Sequence, residues 1–348
     1  MSYSMSSLQR VLTTLEYREP DKVPLFLNLT HHGAKELGMS IKDYYSKAEN
    51  VVNAQLIMRE KYKSDCLNPF YYSALEVEAF GGEVIFSEDC PPSSGEPIIK
   101  KKEDILKLML PSVKDTKCLI RKLETIASLR KLAGPEVPIM GCVTSPCALP
   151  IMQMGFEKYL ELIYEEPELF NYLMEINENF CVQWAKAQLQ AGSNVICFSD
   201  PFVSQSIIPR ELYAKIGLPS AKRTLKRINA ISCIGLSSCA CEKSLDLIRE
   251  IGANMVTVGL NEDIGEVKEK TNKKLAVCGN LNGITMRNWT RTETEENIKI
   301  IIKKAGIGGG LIISDSAGEI PYQVEEATLL EISEAVNKWG KYPLDWIE

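Results

Sequence analysis

The stretch 231-ISCIGLSSCAC-241 decides how this chain reads. Its opening, with Ile231, Ile234 and Leu236, is the apolar pattern of a strand buried on both faces. It closes on Ser237, Ser238, Cys239 and Cys241. Directly after it, EKSLDLIREIG carries Leu245, Ile248 and Ile251 at helical spacing and stops at Gly252. Polar and thiol side chains therefore stand where a strand hands over to a helix. That edge is where α/β barrels place their chemistry.

The same alternation extends in both directions. Upstream, SNVICF (193–198) leads to a helix over 209–228, opened by Pro209. VPIMGCV (137–143) leads to a helical run over 154–191 with a break near Pro167. Downstream, NMVTVGL (254–260), KLAVCG (274–279) and LIIS (311–314) read as strands, with helices over 262–270, 290–304 and 323–339. Toward the N-terminus, Val23–Leu29 reads as the first strand and Cys66–Phe70 as a short second one, separated by a helix over 42–63. An amphipathic helix over 4–17 comes before them. GEVIFSED forms a hairpin excursion after Gly81-Gly82, and 101–132 is helical with a break at Pro111. Eight strands, each followed by a helical stretch, predict the α/β class and a closed (β/α)8 TIM barrel with an N-terminal helical extension. One domain spanning 1–348 accommodates them.

Composition bounds the function. The chain has 348 residues, 45% hydrophobic and 25% charged, enough for a large core. A net charge of −6 gives no nucleic-acid footprint. No apolar run reaches the ~18 residues of a membrane span, and the N-terminus has no signal pattern, so a cytoplasmic protein is expected. In that compartment most of the eleven cysteines are expected to be reduced and buried as small hydrophobes. There is no phosphate-binding GxxxxGK[ST] loop, no G-x-S-x-G elbow, and no D-x-H-x-x-G setting to carry cobalamin on this chain itself.

Residues just past each strand form the candidate rim. Asp200, in FSDPFVS, is placed to act as a general acid or base, and its alternative is a turn cap. His31 and His32 follow the first strand; as neighbours they diverge, and one of them faces the site. Glu76 follows the second strand and is the third candidate for acid–base work. Tyr71, Tyr72 and Phe202 are candidates to flank a substrate ring, with Asn280 and Asp315 as polar contacts. Cys239, Cys241 and Cys278 come from strands close in the barrel order, and three converging thiolates suit zinc. The other reading makes Cys239 and Cys241 a loop thiol and a helix-start thiol with no metal.

The order and spacing of several segments resemble the uroporphyrinogen decarboxylase superfamily, and within it the corrinoid-dependent methyltransferase branch. The segments are EYREPDKVPL, FYYSALEVEAFGGEV, PIMGCVTSPCALPIMQMGFEKYL, AGSNVICFSDPFVSQSIIPRELYAKIGLP, CGNLNG and SDSAGEIPYQVEEA. The resemblance implies a (β/α)8 barrel that moves a methyl group between a small methylated substrate and cobalamin supplied by a separate corrinoid protein. In the coenzyme M branch it also implies a zinc site of His-x-Cys form after the fifth strand, with a further Cys after the eighth. Here Ser237, Cys239 and Ser314 stand near those positions. The departure favours O-demethylation of a methoxylated aromatic. The alternative is methyl transfer from the corrinoid to tetrahydrofolate or a thiol such as coenzyme M. Porphyrinogen decarboxylation fits less well, because NLTHHGAKEL supplies no arginine to clamp carboxylates. A non-catalytic, ligand-binding barrel is the reading from another class.

Overall fold

A computed structural model describes residues 4–316 and 318–347, so the outermost ends of the 1–348 span lie outside the described residues. The chain forms a short antiparallel hairpin, β1 (Val84–Ile85) and β2 (Ser93–Ser94), and a six-stranded parallel sheet. The sheet strands are β3 (Met140–Thr144), β4 (Val195–Ser199), β5 (Ile231–Gly235), β6 (Met255–Thr257), β7 (Ala276–Leu281) and β8 (Leu311–Asp315), paired in sequence order. Helices connect them, as the alternating pattern requires.

The first two expected strands are present only as extended segments. Each keeps a single bridge: Leu25 beside Ile313 of β8, and Leu67 beside Ile139 next to β3. The reason lies in the sequence. Pro24 has no N–H to offer a ladder, and the Leu25 N–H goes to the Asp65 carboxylate (3.0 Å). The ring still closes through backbone hydrogen bonds. Phe26 donates to Ile313 and Ile313 to Pro24; Asp65 donates to Leu25; Leu67 donates to Pro138 and Met140 to Leu67. With these segments counted, eight parallel positions surround one axis, the TIM-barrel fold.

Other boundaries differ by a few residues, and each difference has a local cause. The helix expected over 42–63 is two, Ile41–Ser46 and Ala48–Tyr62, parted by extended Lys47. The region 101–132 becomes a 3-10 turn (Lys102–Lys107) and a helix (Lys117–Ala133), with Pro111 between them. The run after β3 breaks at Gly155 and again before Pro167. No helix among the described residues is long and apolar enough to cross a membrane.

The N-terminal helix Ser7–Leu15, closed by a Ser6/Gln9 capping box, plugs the floor of the barrel. Its Val11 and Leu15 pack under Phe26, Cys233, Met255, Cys278 and Ile312. From the same helix, Arg10, only 6% exposed, reaches Asp21 (2.7 Å) and Asp65 (2.5 Å). Asp65 also accepts from Ser7 Oγ (2.9 Å) as well as from Leu25 N. One guanidinium thus ties the floor helix to both irregular strand positions.

Arg10→Ala should destabilise the fold by about 3–5 kcal/mol, because it strands two partly or wholly buried carboxylates. Asp65→Asn should cost less, since an amide oxygen still accepts from Leu25. Urea unfolding midpoints check both, and a wild-type midpoint for Arg10→Ala would mean the clamp is dispensable. Burial raises the Asp21 pKa, but the hydrogen bond and charge of Arg10 outweigh it and hold the carboxyl below its usual range. This contribution is therefore complete above about pH 4 and is lost as pH falls through the lower native value. Arg10→Met should flatten that acid limb of the stability profile.

Candidate active site

A TIM-barrel interior is normally filled with branched aliphatic side chains. Here β3, β4 and β5 place Cys142, Cys197 and Cys233 side by side in register, and Cys278 lies opposite Thr257 and Ile312. Gly235 adds no side chain, and a Cβ there would sit 2.9 Å from Cys197 Sγ. Small residues leave space. A cavity of about 380 Å³ runs from the strand starts, at Met140, Val195, Met255 and Ile312, to the strand ends, at Ser199, Ser237 and Ser314. Its wall is mainly apolar. Most of its polar groups cluster at the mouth, where Asn28, Asn68, Ser73 and Glu319 join those serines, and Asp65 lines it at the floor. This is the pattern of a pocket for a small, largely apolar ligand.

The mouth is assembled across the seam between β8 and the 23–29 segment. Asp315, at the end of β8, accepts from the N–H groups of Asn28 (3.3 Å) and Gly318 (3.2 Å). Burial pushes its pKa up to about 7. Asn28 donates to the Gly318 carbonyl and accepts from Asn68. Four residues past Asp315, Glu319 meets His31: Nδ1 lies 2.6 Å from Oε2, and the Thr30 hydroxyl donates to the same oxygen. Tyr322 stacks on His31, with ring centroids 5.4 Å apart. His31 Nε2 is buried without a partner among the described residues.

Of the two histidines, His31 is the one coupled to the cavity, through Glu319. His32 is buried beside it, and its pKa is held well below normal by burial and then by its charged neighbours. Glu319 is the residue the sequence reading missed. Its signal was an acid just past the last strand in a glycine-containing loop, SDSAGEIP.

Several expected site residues lie elsewhere. Asp200 is fully buried but does not line the cavity. It accepts from Tyr213 Oη (2.7 Å), and burial raises its pKa to about 6. Ser199 takes the inward position at the end of β4, so the next residue faces the helical layer. Phe202 packs behind it against Phe156 and Tyr159. Tyr71 bonds Thr125 (2.8 Å) and Tyr72 bonds Glu78 (2.7 Å), both inside an aromatic cluster with Tyr45. Phe70 lines the cavity in their place. Asn280 spends its amide on the carbonyls of Gly259 (3.0 Å) and Glu262 (2.9 Å). Glu76 is buried, accepts from Thr144 N (3.0 Å), and has its pKa raised by burial to about 7.

The three thiols expected to share a metal do not converge. Cys278 faces the cavity interior, where burial pushes its pKa up to about 12. Cys241 is buried against Glu262, and burial and that carboxylate both raise its pKa. Glu262 itself organises the loop: it accepts from the N–H groups of Cys241 (2.9 Å), Glu242 (2.7 Å) and Gly259 (2.8 Å). Cys239 is half-buried, and burial raises its pKa too. Ser237 and Ser238, both with left-handed backbone (φ 48° and 69°), occupy the turn. The Ser238 hydroxyl lies 3.5 Å from that of Ser316. Among the described residues no group of three His, Cys, Asp or Glu side chains is disposed to hold a metal ion. The donors present do not fit the zinc site of the coenzyme M branch. All eleven cysteines are free and six are buried.

The fold is shared with a methyltransferase from Methanosarcina mazei, with a TM-score of 0.83 over 96% of this chain and 99% of that one, at 18% identity. In sequence, the chain is 25% identical to the methylcobamide:CoM methyltransferase MtbA of Methanosarcina acetivorans, over 70% of this chain and 71% of the relative. It is equally 25% identical to a uroporphyrinogen decarboxylase of Myxococcus xanthus, over 76% of each. Those two relatives carry different activities, so family and activity are separate questions. The profile of uroporphyrinogen decarboxylase (URO-D) matches residues 6–339, from the floor helix to the last helix of the barrel, and the chain belongs to that family.

Proposed function

We propose that this chain is a corrinoid-dependent methyltransferase whose methyl donor is a methoxylated aromatic. The observation that carries this reading is the cavity: its wall is mainly apolar, the floor carboxylate Asp65 is paired with Arg10, and Glu319 stands at the mouth. A volume of about 380 Å³ suits a substituted benzene ring and is too small to enclose a corrinoid or a porphyrinogen. The corrinoid therefore comes from outside, on a partner protein applied to the mouth, and supplies the nucleophile that accepts the methyl group. The methylcobamide:CoM methyltransferase relative supports the same class.

The difficulty of an aryl methyl ether is its leaving group, a phenolate. This chain's residues answer it with a proton. Glu319 stands at the mouth with His31 behind it, so a proton given to the ether oxygen by the Glu319 carboxyl is replaced from the His31 imidazole. The C–O bond pair stays on oxygen, and a neutral phenol leaves. Thr30 fixes the carboxyl, and Asn28 with Asn68 holds the loop at the seam. Phe70 and Met140 contact the ring along the wall.

A thiol acceptor is the second reading, favoured by the coenzyme M reaction in the name of the Methanosarcina acetivorans relative. It needs an activated thiolate, and Cys239, Cys241 and Cys278 give no metal site to make one.

Single-turnover assays with 4-methoxybenzoate and free cob(I)alamin as the probe test the proposal. Wild type should release the phenol. Glu319→Gln should lose about 10²–10⁴-fold in rate with little change in substrate affinity. An unchanged rate would remove Glu319 from the mechanism. Methyl transfer from methylcobalamin to a thiol, with no ether cleavage, would replace the reading.

The thiols give a separate expectation. Cys239→Ser, and treatment of wild type with a chelator, should each leave ether cleavage unchanged. Metal analysis alongside the rates checks this. Stoichiometric zinc lost together with activity in Cys239→Ser would overturn it.

A further inference from the structure

Beside the main cavity lies a smaller one of about 40 Å³, lined by Phe70, Ser73, Glu76, Lys122, Thr144 and Ser199 among others. It shares Phe70, Ser73, Cys142 and Ser199 with the main cavity, so the two adjoin along that wall. Its floor is a lysine in an unusual position. Lys122, on the helix Lys117–Ala133, is only 2% exposed. Its ammonium makes one hydrogen bond, to the Cys142 carbonyl at 3.3 Å, and no carboxylate of the described residues comes within 4.0 Å. The rings of Trp184 (5.3 Å) and Phe70 (5.7 Å) flank it. Two of its three donor protons have no acceptor among the described residues.

A buried cation without an anion is costly unless a ligand completes it. We propose that this side pocket is a carboxylate-binding subsite, in which Lys122 pairs with an acid group on the substrate's ring. The inference rests on the methoxylated-aromatic reading above and narrows it to methoxylated aromatic acids. The ring lies against Phe70 with its carboxylate in the side pocket and its methyl ether toward the mouth. Space for about 40 Å³ exceeds what one water needs and admits the two oxygens of a carboxylate. Ser73, Thr144 and Ser199 add hydroxyl donors. Glu76, the nearest acid on the same wall, would repel a second carboxylate if ionised. Burial raises its pKa to about 7, so near neutrality much of it is an uncharged carboxyl.

Equilibrium binding tests the subsite without turnover. The probes are 4-methoxybenzoate and its uncharged isostere 4-methoxybenzamide, titrated by calorimetry into wild type and Lys122→Met. Wild type should bind the acid roughly 10- to 100-fold more tightly than the amide, the range for a charge-assisted hydrogen bond. Lys122→Met should abolish that preference while leaving amide affinity unchanged. Because it removes an uncompensated buried charge, the variant should also melt no lower than wild type without ligand, which separates loss of the subsite from loss of fold. Equal binding of acid and amide by wild type, binding of neither, or a preference that survives in Lys122→Met would overturn the subsite. Carboxylate-dependent binding with no ether cleavage would leave the subsite standing and sink the catalytic reading instead.

Discussion

The barrel depends on a hydrogen bond that is not part of any ladder, from the Leu25 N–H to the Asp65 carboxylate. A closed barrel needs every strand position satisfied on both edges. Between β8 and β3 the chain offers two short, proline-marked segments that make one bridge each. Asp65 supplies the missing acceptor, and Arg10 neutralises and positions Asp65. The price of this solution is a buried charge network, and the floor helix exists in part to bring Arg10 to it. The same helix seals the bottom of the cavity through Val11 and Leu15. Closure of the ring and closure of the pocket are thus one structural event.

With the floor sealed, the interior can stay open. Four thiols, a glycine and a threonine occupy barrel positions that branched aliphatics would otherwise fill, and the void they leave is continuous. Such a void is tolerated because its wall is mainly apolar and polar groups such as Asn28, Asn68, Asp65 and Glu319 already have hydrogen-bond partners. The cysteines therefore act by their size. Burial raises the pKa of Cys233, Cys241 and Cys278, which removes thiolate reactivity at neutral pH.

The repeated strand–helix alternation made the barrel legible, and the strand-end rule located the rim. What the sequence concealed follows from two physical causes. The first is parity. Along a strand, neighbours face opposite sides. Ser199 faces the cavity, so Asp200 turns toward Tyr213, and the same alternation places Ser314 on the cavity wall while Asp315 reaches the seam. Counting inward positions back from a cavity residue recovers this, but that requires one inward residue to be known. The second cause is competition for side chains by local backbone. Asn280 and Glu262 look free in sequence, yet each is consumed by loop N–H or carbonyl groups at the strand ends. Cys241 is drawn to Glu262 by that arrangement, which pulls it away from Cys278. Glu319 escaped for the opposite reason: its partner His31 lies 288 residues away, and only ring closure brings them together.

That last pairing shows how the fold and the chemistry are linked. The seam between β8 and the 23–29 segment keeps only two backbone hydrogen bonds and one bridge, so side chains at both ends help to set its position. At the floor these are Arg10, Asp21 and Asp65; at the mouth they are Asp315 with Asn28, and Glu319 with His31. A regular ladder would have used the Asn28 N–H on a neighbouring strand. Left free, that group takes the Asp315 carboxylate instead, and Asp315 in turn holds the N–H of Gly318. Glu319, the next residue, is thereby fixed against His31 from the opposing segment. The irregularity of the sheet at this seam is what allows an acid and an imidazole from the two ends of the chain to meet at the mouth of the barrel.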